Sequence, residues 1–144
     1  MKYIIYTDGG SRGNPGPAAI GVVICNEKVE PVKKYGEAIG EKTNNEAEYE
    51  AIIFALKKFK ALFGGDEAQK AKIEMRMDSE LAAKQLNHEY KIEEPHIQQL
   101  FLKIWNLMID FGQVKFINIP REENKEADRL VNEALDKKQE NLFK

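Results

Sequence analysis

The 144-residue sequence predicts a single α/β domain built on a five-stranded mixed sheet flanked by helices. Three observations lead to this prediction. Three β-rich apolar runs, separated by Gly and Pro, fill residues 2–39 and indicate an antiparallel meander. From Asn44 the apolar spacing becomes helical. Two further apolar runs then alternate with helical segments, an order typical of a sheet with helices on its faces.

The first predicted strand covers residues 2–8, and both of its faces are apolar, as in a central strand. Ile4 and Tyr6 share the face of Asp8. The glycine-rich run that follows lacks the Lys and Ser/Thr of a phosphate-binding loop. Its glycines, including Gly9 and Gly10, are therefore interpreted as hairpin turn residues. Predicted strands over residues 18–24 and 29–39 follow.

The remaining elements are predicted from capping residues and periodicity. Thr43 is the predicted N-cap of a helix that begins at Asn44 and ends at Phe63, before Gly64-Gly65. Strands are predicted over residues 71–78 and 112–119, and helices over 79–86, 95–111 and 123–138. A single domain is therefore expected over residues 1–138, and residues 139–144 are expected to form a short C-terminal tail.

Composition narrows the cellular setting. A net charge of −2 argues against a surface that grips nucleic acid all over, but it is compatible with a local basic patch. Cys25 is the single cysteine, so no intramolecular disulfide can form, which favours a reducing cytoplasm. No apolar run approaches the roughly 20 residues that span a bilayer, so no membrane partner is expected. A monomer is expected.

Acidic residues occupy positions where apolar residues or turns would be ordinary. Asp8 and Asp78 each end a predicted strand, and if these strands are parallel neighbours, their carboxylates converge at one sheet edge. On the first helix, Glu48 falls within the apolar stripe, whereas Glu46 and Glu50 are expected to face water. On the last helix, Asp128 is in line with the apolar stripe.

Each of these residues also has a structural interpretation. Asp78 could cap a helix, Glu48 could favour the helix dipole, and Asp128 could be a solvated edge residue. The combination favours function, because four clustered carboxylates raise one another's pKa values, and divalent cations remove that repulsion. An oxygen-only donor set suits Mg²⁺ or Mn²⁺ better than Zn²⁺. His88 and His96 are expected on the surface without partners.

Four motif blocks resemble those of the ribonuclease H family, in its type 1 branch. They are "YTDGGSRGNPGPAAIG", "TNNEAEYEAI", "MDSELAAKQL" and "NKEADRLVNEAL", in the family's order and at its spacing. The resemblance covers residues 2–135 and implies the ribonuclease H-like fold, which agrees with the predicted sheet.

The resemblance implies an endoribonuclease that hydrolyses the RNA strand of RNA/DNA hybrids, leaving 5′-phosphate and 3′-hydroxyl ends. Asp8, Glu48, Asp78 and Asp128 match the family's catalytic, metal-binding carboxylates. Such enzymes hold two Mg²⁺ ions per site about 3.5–4 Å apart in the substrate complex, and Mn²⁺ is an alternative.

The resemblance also implies a substrate groove that senses the RNA 2′-hydroxyl. The residues matched to substrate binding are Gly9, Gly10, Asn14, Asn44, Asn45, Ser79, Arg121 and Asn124. Asn14 has a structural alternative as a turn residue, and Asn44 and Asn45 have one as residues that open a helix. Ser79 has one as a helix cap.

Two departures from the family pattern leave other functions open. The segment "INIPREENKEAD" is short and lacks the loop histidine of many members, and Arg121 or Glu122 is a candidate substitute. The segment "NHEYKIEEPH" lacks the basic protrusion of many members, as in archaeal-like variants. The alternatives are a broader nuclease that also cuts double-stranded RNA, and a non-catalytic nucleic-acid-binding module.

Overall fold

The computed structural model describes residues 1–142. The strands are β1 (Lys2–Ser11), β2 (Gly16–Cys25), β3 (Pro31–Lys42), β4 (Lys72–Met77) and β5 (Gln113–Asn118). The helices are α1 (Asn44–Phe63), α2 (Gly65–Lys70), α3 (Glu80–Leu86), α4 (Pro95–Met108) and α5 (Lys125–Leu142). A single 3₁₀ turn covers Arg121–Glu123. Within the described residues, no helix is both long and apolar enough to cross a bilayer.

The strands form one mixed sheet in the order β3-β2-β1-β4-β5, which confirms the predicted fold class. β1, β2 and β3 pair antiparallel, whereas β1–β4 and β4–β5 pair parallel. The last β1–β4 pair joins Tyr6 to Arg76, and β1 continues beyond it as a partner of β2. Asp8 and Asp78 both follow this last pair, so the sheet topology brings them to one edge.

The sheet separates two apolar layers. Tyr3 and Ile5 of β1 point to one side and join the main core with α1, whose buried residues include Phe59. Ile4 and Tyr6 point to the other side, where Leu130 of α5 packs against them. Asp8 has the parity of the second set, as the sequence predicts, and therefore lies on the α5 side of the sheet.

Gly9 and Gly10 belong to β1 and are not turn residues, which corrects the hairpin interpretation. They pair with Ile20 and Ala19 of β2. A Cβ atom on Gly9 would lie 2.2 Å from the carbonyl oxygen of Ala47. Glycine is required here because the first turn of α1 approaches the strand backbone too closely for any side chain.

The helix predictions differ from the structure at three points, the first of which is that α4 ends at Met108 and not at Phe111. Helix α2 was not predicted, because its one buried residue, Ala68, gives no apolar periodicity. The helix is stabilised by acidic residues in its first turn and a basic residue in its last turn, which interact favourably with the helix dipole. Helix α5 continues to Leu142, because no helix breaker follows residue 138. Residues 139–142 of the predicted tail are therefore helical, and Phe143 and Lys144 lie outside the described residues.

Candidate active site

An acidic cleft opens at the edge of the sheet where β4 ends. Its volume is about 460 Å³, and β1, the start of α1, the residue after β4, and one face of α5 contribute to its walls. The lining residues are Asp8, Gly9, Gly10, Ser11, Arg12, Asn44, Glu48, Asp78, Arg121, Asp128, Val131, Asn132 and Leu135. The structure thus brings all four predicted carboxylates to one cleft.

Three of the carboxylates form a tight cluster. Asp8, Glu48 and Asp78 each offer an oxygen atom, and these atoms lie within 4.8 Å of one another. Asp8 and Glu48 are 7% and 8% exposed, whereas Asp78 is half-buried. Their backbones come from a strand, a helix and a strand end, so the cluster depends on the tertiary fold and not on one flexible loop.

Glu48 reaches the cluster because of its place on α1. Its neighbours Ala47 and Tyr49 are buried, and the helix turns Glu48 toward the sheet in its second turn. The Gly9 backbone faces the Glu48 carboxylate and partly offsets the burial that raises the pKa of that carboxyl. The Oε2 atom of Glu48 is buried and has no hydrogen-bond partner among the described residues.

The position of Asp128 is set by the close packing of α5 against the sheet. A Cβ atom on Gly21 would lie 2.1 Å from the carbonyl oxygen of Ala127, and one on Gly36 would lie 2.9 Å from that of Leu130. These glycines of β2 and β3 are neighbours in the sheet and form a seat for the helix backbone. They therefore set how far Asp128 stands from the other carboxylates.

Burial and mutual repulsion shift the cluster toward its protonated forms. Burial, followed by the charge of Asp78, raises the pKa of Asp8 to about 7. Burial, followed by the charge of Asp8, raises the pKa of Glu48 well above its ordinary value. Burial also raises the pKa of Asp78, although the Arg121 guanidinium opposes that rise. The cluster therefore holds protons near neutral pH in the absence of cations.

The donor set fits hard divalent cations such as Mg²⁺. The cluster offers only carboxylate oxygens, which Mg²⁺ and Mn²⁺ prefer. The buried Glu48 Oε2 atom has no hydrogen-bond partner in the described part of the chain, as expected of an oxygen that is poised to ligate a cation. A bound cation would also offset the burial and the mutual repulsion that together raise the three pKa values.

The asparagines predicted to touch substrate also hold the cleft together. The Oδ1 atom of Asn44 accepts hydrogen bonds from the N–H and hydroxyl of Ser11, at 2.9 and 3.2 Å. The Asn44 N–H donates to Oδ1 of Asn14, at 2.9 Å. The turn after β1 is thereby tied to the start of α1. Asn45 donates to Gln85 of α3 at 3.4 Å.

Ser79 and Asn124 have structural partners, and Asn124 corrects the sequence-based assignment. Ser79 is the N-cap of α3, and its hydroxyl accepts from the Ala82 N–H at 3.1 Å. Asn124 is 1% exposed, and its amide donates to the Thr7 carbonyl at 2.9 Å. A side chain this buried has no surface for a substrate, so Asn124 ties the start of α5 to β1.

Gly9 and Gly10 play different parts in the cleft. The Cβ position of Gly9 points at α1, so its absent side chain makes room for the protein's own helix. The Cβ position of Gly10 points toward Val131, 3.7 Å from its Cγ1 atom, on the α5 side where the cleft lies. Of the two, Gly10 is the better placed to admit a substrate.

Sequence reasoning missed two groups of contacts. Arg12 lines the cleft, and its guanidinium donates to Asp136 at 2.7 Å and to Gln139 at 2.8 Å on α5. Glu46 does not face water: it completes a capping box with Thr43 and contacts His96, which therefore has a partner. The Thr-x-x-Glu spacing was the available signal for the capping box.

The fold and the carboxylate cleft together define the class: an α/β domain with a candidate cation site of carboxylates at the edge of a mixed sheet. A family model described as "Reverse transcriptase-like" matches residues 6–134. Ribonuclease HI of Halobacterium salinarum is 42% identical over 131 residues, covering 91% of this chain and 63% of the relative. A bifunctional protein of Mycobacterium tuberculosis is 38% identical over 137 residues, covering 94% of this chain and 36% of the relative.

Two solved structures resemble this chain over nearly their whole length. LC11-RNase H1, isolated from compost and solved in complex with an RNA/DNA hybrid, is 48% identical with a TM-score of 0.89. The match covers 95% of this chain and 99% of that one. RNase H1 of Halobacterium salinarum is 39% identical with a TM-score of 0.87, covering 95% and 99%. The chain belongs to the ribonuclease H family, in its type 1 branch, as the motif blocks predict.

Proposed function

We propose that this chain is a metal-dependent endoribonuclease that hydrolyses the RNA strand of RNA/DNA hybrids, giving 5′-phosphate and 3′-hydroxyl ends. The observation that supports this most directly is the cluster of Asp8, Glu48 and Asp78, with oxygens within 4.8 Å, in a cleft that Asp128 also lines. The hybrid complex of LC11-RNase H1, 48% identical, supports the substrate class.

Asp8, Glu48, Asp78 and Asp128 would hold Mg²⁺, or Mn²⁺ in its place, with two ions in the substrate complex. When bound, such cations activate a water molecule for attack on the scissile phosphate and stabilise the leaving 3′ oxygen. The strand and helix backbones fix the carboxylates before substrate arrives, so little reorganisation is required during the reaction. Arg121, beside Asp78, adds a positive charge where the phosphate would lie.

Recognition of RNA is assigned to the polar side of the cleft. Asn14, Asn44 and Asn45 lie at the turn after β1 and the start of α1, where their amide groups reach a 2′-hydroxyl on the cleaved strand. Their hydrogen bonds within the protein hold these amides in place for that contact. Gly10 leaves space for the RNA backbone. Ser79 borders the same edge from the start of α3.

The organisation and cellular setting of the protein follow from the same features. The proposed catalytic domain includes α5 beyond residue 135, because Arg12 binds Asp136 and Gln139 of that helix. Cys25 is buried and without a disulfide among the described residues, which favours the reducing cytoplasm as the setting. Action as a monomer is part of the same proposal.

A substrate panel tests the function. An end-labelled RNA/DNA hybrid, single-stranded RNA, duplex RNA and duplex DNA are each incubated with the wild type in Mg²⁺ or Mn²⁺. We expect cleavage of the RNA strand of the hybrid and loss of that cleavage in EDTA. Cleavage of duplex RNA as well as of the hybrid would favour the broader nuclease. Binding of the hybrid without cleavage in either metal would favour the non-catalytic module.

A further inference from the structure

One half of the sheet is exposed on the α5 side. Helix α5 packs on β1, β2 and β3. In the part of the chain that the structure describes, β4 and β5 are left open on that side, although parallel strands are ordinarily covered on both faces. Register places on that side Lys2 and Tyr6 of β1, Lys72, Glu74 and Arg76 of β4, and Gln113, Lys115 and Ile117 of β5, whereas Ile4 of β1 is buried against Leu130 of α5. We call the first eight of these residues the open basic face.

The charge of the open basic face is opposite to that of the whole chain. It carries four cations, Lys2, Lys72, Arg76 and Lys115, and one carboxylate, Glu74, in a protein of net charge −2. Glu74 is already shared between Arg76, at 2.6 Å, and Lys2, at 3.7 Å. Lys72 and Lys115 are exposed and have no ion pair among the described residues.

The cations are close enough to act on one polyanion. Lys2 and Lys72 are paired directly across adjacent strands, an arrangement that is destabilising without a counter-charge. A depression of about 220 Å³ lies between them and Lys115. Three adjacent strands span about 10 Å, which accommodates one extended phosphate backbone beside the protein.

The open basic face is continuous with the catalytic cleft. Tyr6 precedes Asp8 by two residues on the same face of β1, a step of about 7 Å. Arg76 likewise precedes Asp78, and its guanidinium lies 5.4 Å from the Tyr6 ring centroid and donates to the Tyr6 hydroxyl at 2.7 Å. This pair presents a planar group beside the cleft, of the kind on which an unpaired base stacks.

We infer that the open basic face binds the single-stranded RNA that continues from the cleaved strand beyond the hybrid. The positive charge of this face is complementary to a phosphate backbone, and its width accommodates one nucleic-acid strand. Because the face is continuous with Asp8 and Asp78, we assign that strand as the RNA strand being cut. This inference rests on the proposed function, which identifies the cut strand as RNA. Glu123 lines a pocket with Tyr6 on the α5 side, and its negative charge repels the RNA phosphates toward β4 and β5.

Fluorescence anisotropy with labelled hybrids tests the inference. The Asp78→Asn variant is used as the binding background so that substrate stays intact. Its affinities are compared for a blunt hybrid, for hybrids with a single-stranded RNA extension at the 5′ or the 3′ end of the RNA, and for the same lengths with DNA extensions on the DNA strand. We expect one of the two RNA extensions to raise affinity roughly tenfold.

Charge reversal assigns that gain to the surface. Adding Lys72→Glu and Lys115→Glu should abolish the gain, and should lower the log–log salt slope for the extended hybrid by about 1.4, for two lost single-strand phosphate contacts. Adding Lys28→Glu and Lys103→Glu, which changes net charge equally at exposed positions elsewhere, should preserve the gain.

Three results would overturn the inference: no gain from either RNA extension, an equal gain from the DNA extensions, or a gain that survives Lys72→Glu/Lys115→Glu. Cleavage of the blunt hybrid by the wild type is measured in parallel. If the blunt hybrid is cut and the extensions have no effect, the inference that the open basic face binds RNA is wrong, while the proposed function stands. If the blunt hybrid is neither bound nor cut, the proposed function itself fails.

Discussion

Asp8→Asn is expected to abolish hybrid cleavage, by at least about a thousandfold, and yet to make the cation-free protein more stable at pH 8. The folded protein retains the Asp8 proton up to about pH 7, whereas the unfolded chain releases it near pH 4. The folded state therefore binds more protons between these values, so the free energy of unfolding falls as pH rises through them.

The size of this effect follows from the pKa of Asp8, about 7 against an ordinary 3.8. At 1.36 kcal/mol per pKa unit, ionising Asp8 destabilises the cation-free protein by up to about 4 kcal/mol at pH 8. Asparagine carries no charge, so the Tm of the variant in EDTA should exceed that of the wild type by several degrees, with little difference near pH 4. Thermal unfolding followed by circular dichroism measures both.

A matched control is Glu27→Gln, which removes one negative charge from an exposed turn and should leave both Tm and cleavage unchanged. If Asp8→Asn unfolds at a lower temperature than the wild type in EDTA at pH 8, the Asp8 carboxylate is not destabilised by its surroundings. The account of the cluster as a charge-strained cation site would then be wrong.

Gly21→Ala should damage the active site from a distance. Its Cβ atom would lie 2.1 Å from the Ala127 carbonyl oxygen, a contact that only movement of α5 or β2 can relieve. We expect a loss of stability of about 3 kcal/mol, because backbone has to shift. Asp128, the next residue on α5, would be displaced with the helix. A displacement of about 1 Å can reduce cleavage about a hundredfold.

Two further glycines calibrate that prediction. A Cβ atom on Gly36 would approach the Leu130 carbonyl to 2.9 Å, so Gly36→Ala should show a smaller loss of both stability and cleavage. A Cβ atom on Gly65 would meet no atom within 4 Å, so Gly65→Ala should be silent. Urea unfolding and hybrid cleavage are measured on all three variants. Wild-type stability and cleavage in Gly21→Ala would show that α5 is not seated on this glycine.

The carboxylates were predictable because each follows a local rule. Glu48 lies in an apolar helical stripe, and Asp8 and Asp78 follow β-rich runs whose parallel pairing aligns their ends. The order of elements was sufficient to predict the mixed sheet, since short connections join the antiparallel strands β1, β2 and β3, and parallel pairs such as β4–β5 need a helical crossover.

Other features depend on contacts between distant segments, which periodicity does not encode. Gly9 belongs to β1 and pairs with β2, and α1 packs directly against its backbone. No local feature of the sequence distinguishes such a strand glycine from a turn glycine. Asn124 is buried against the Thr7 carbonyl, 117 residues away along the chain. The motif identifies Asn124 as important, but only the fold shows that it positions α5 instead of contacting substrate.

The most direct test of the central claim is whether Mg²⁺ stabilises the folded protein through the carboxylate cluster. The account predicts that saturating Mg²⁺ raises the Tm of the wild type by several degrees at pH 8, and by much less at pH 5, where protons occupy the cluster. Asp78→Asn should respond weakly at either pH. An equal Mg²⁺ response in Asp78→Asn and the wild type, or no response of the wild type at pH 8, would contradict the account.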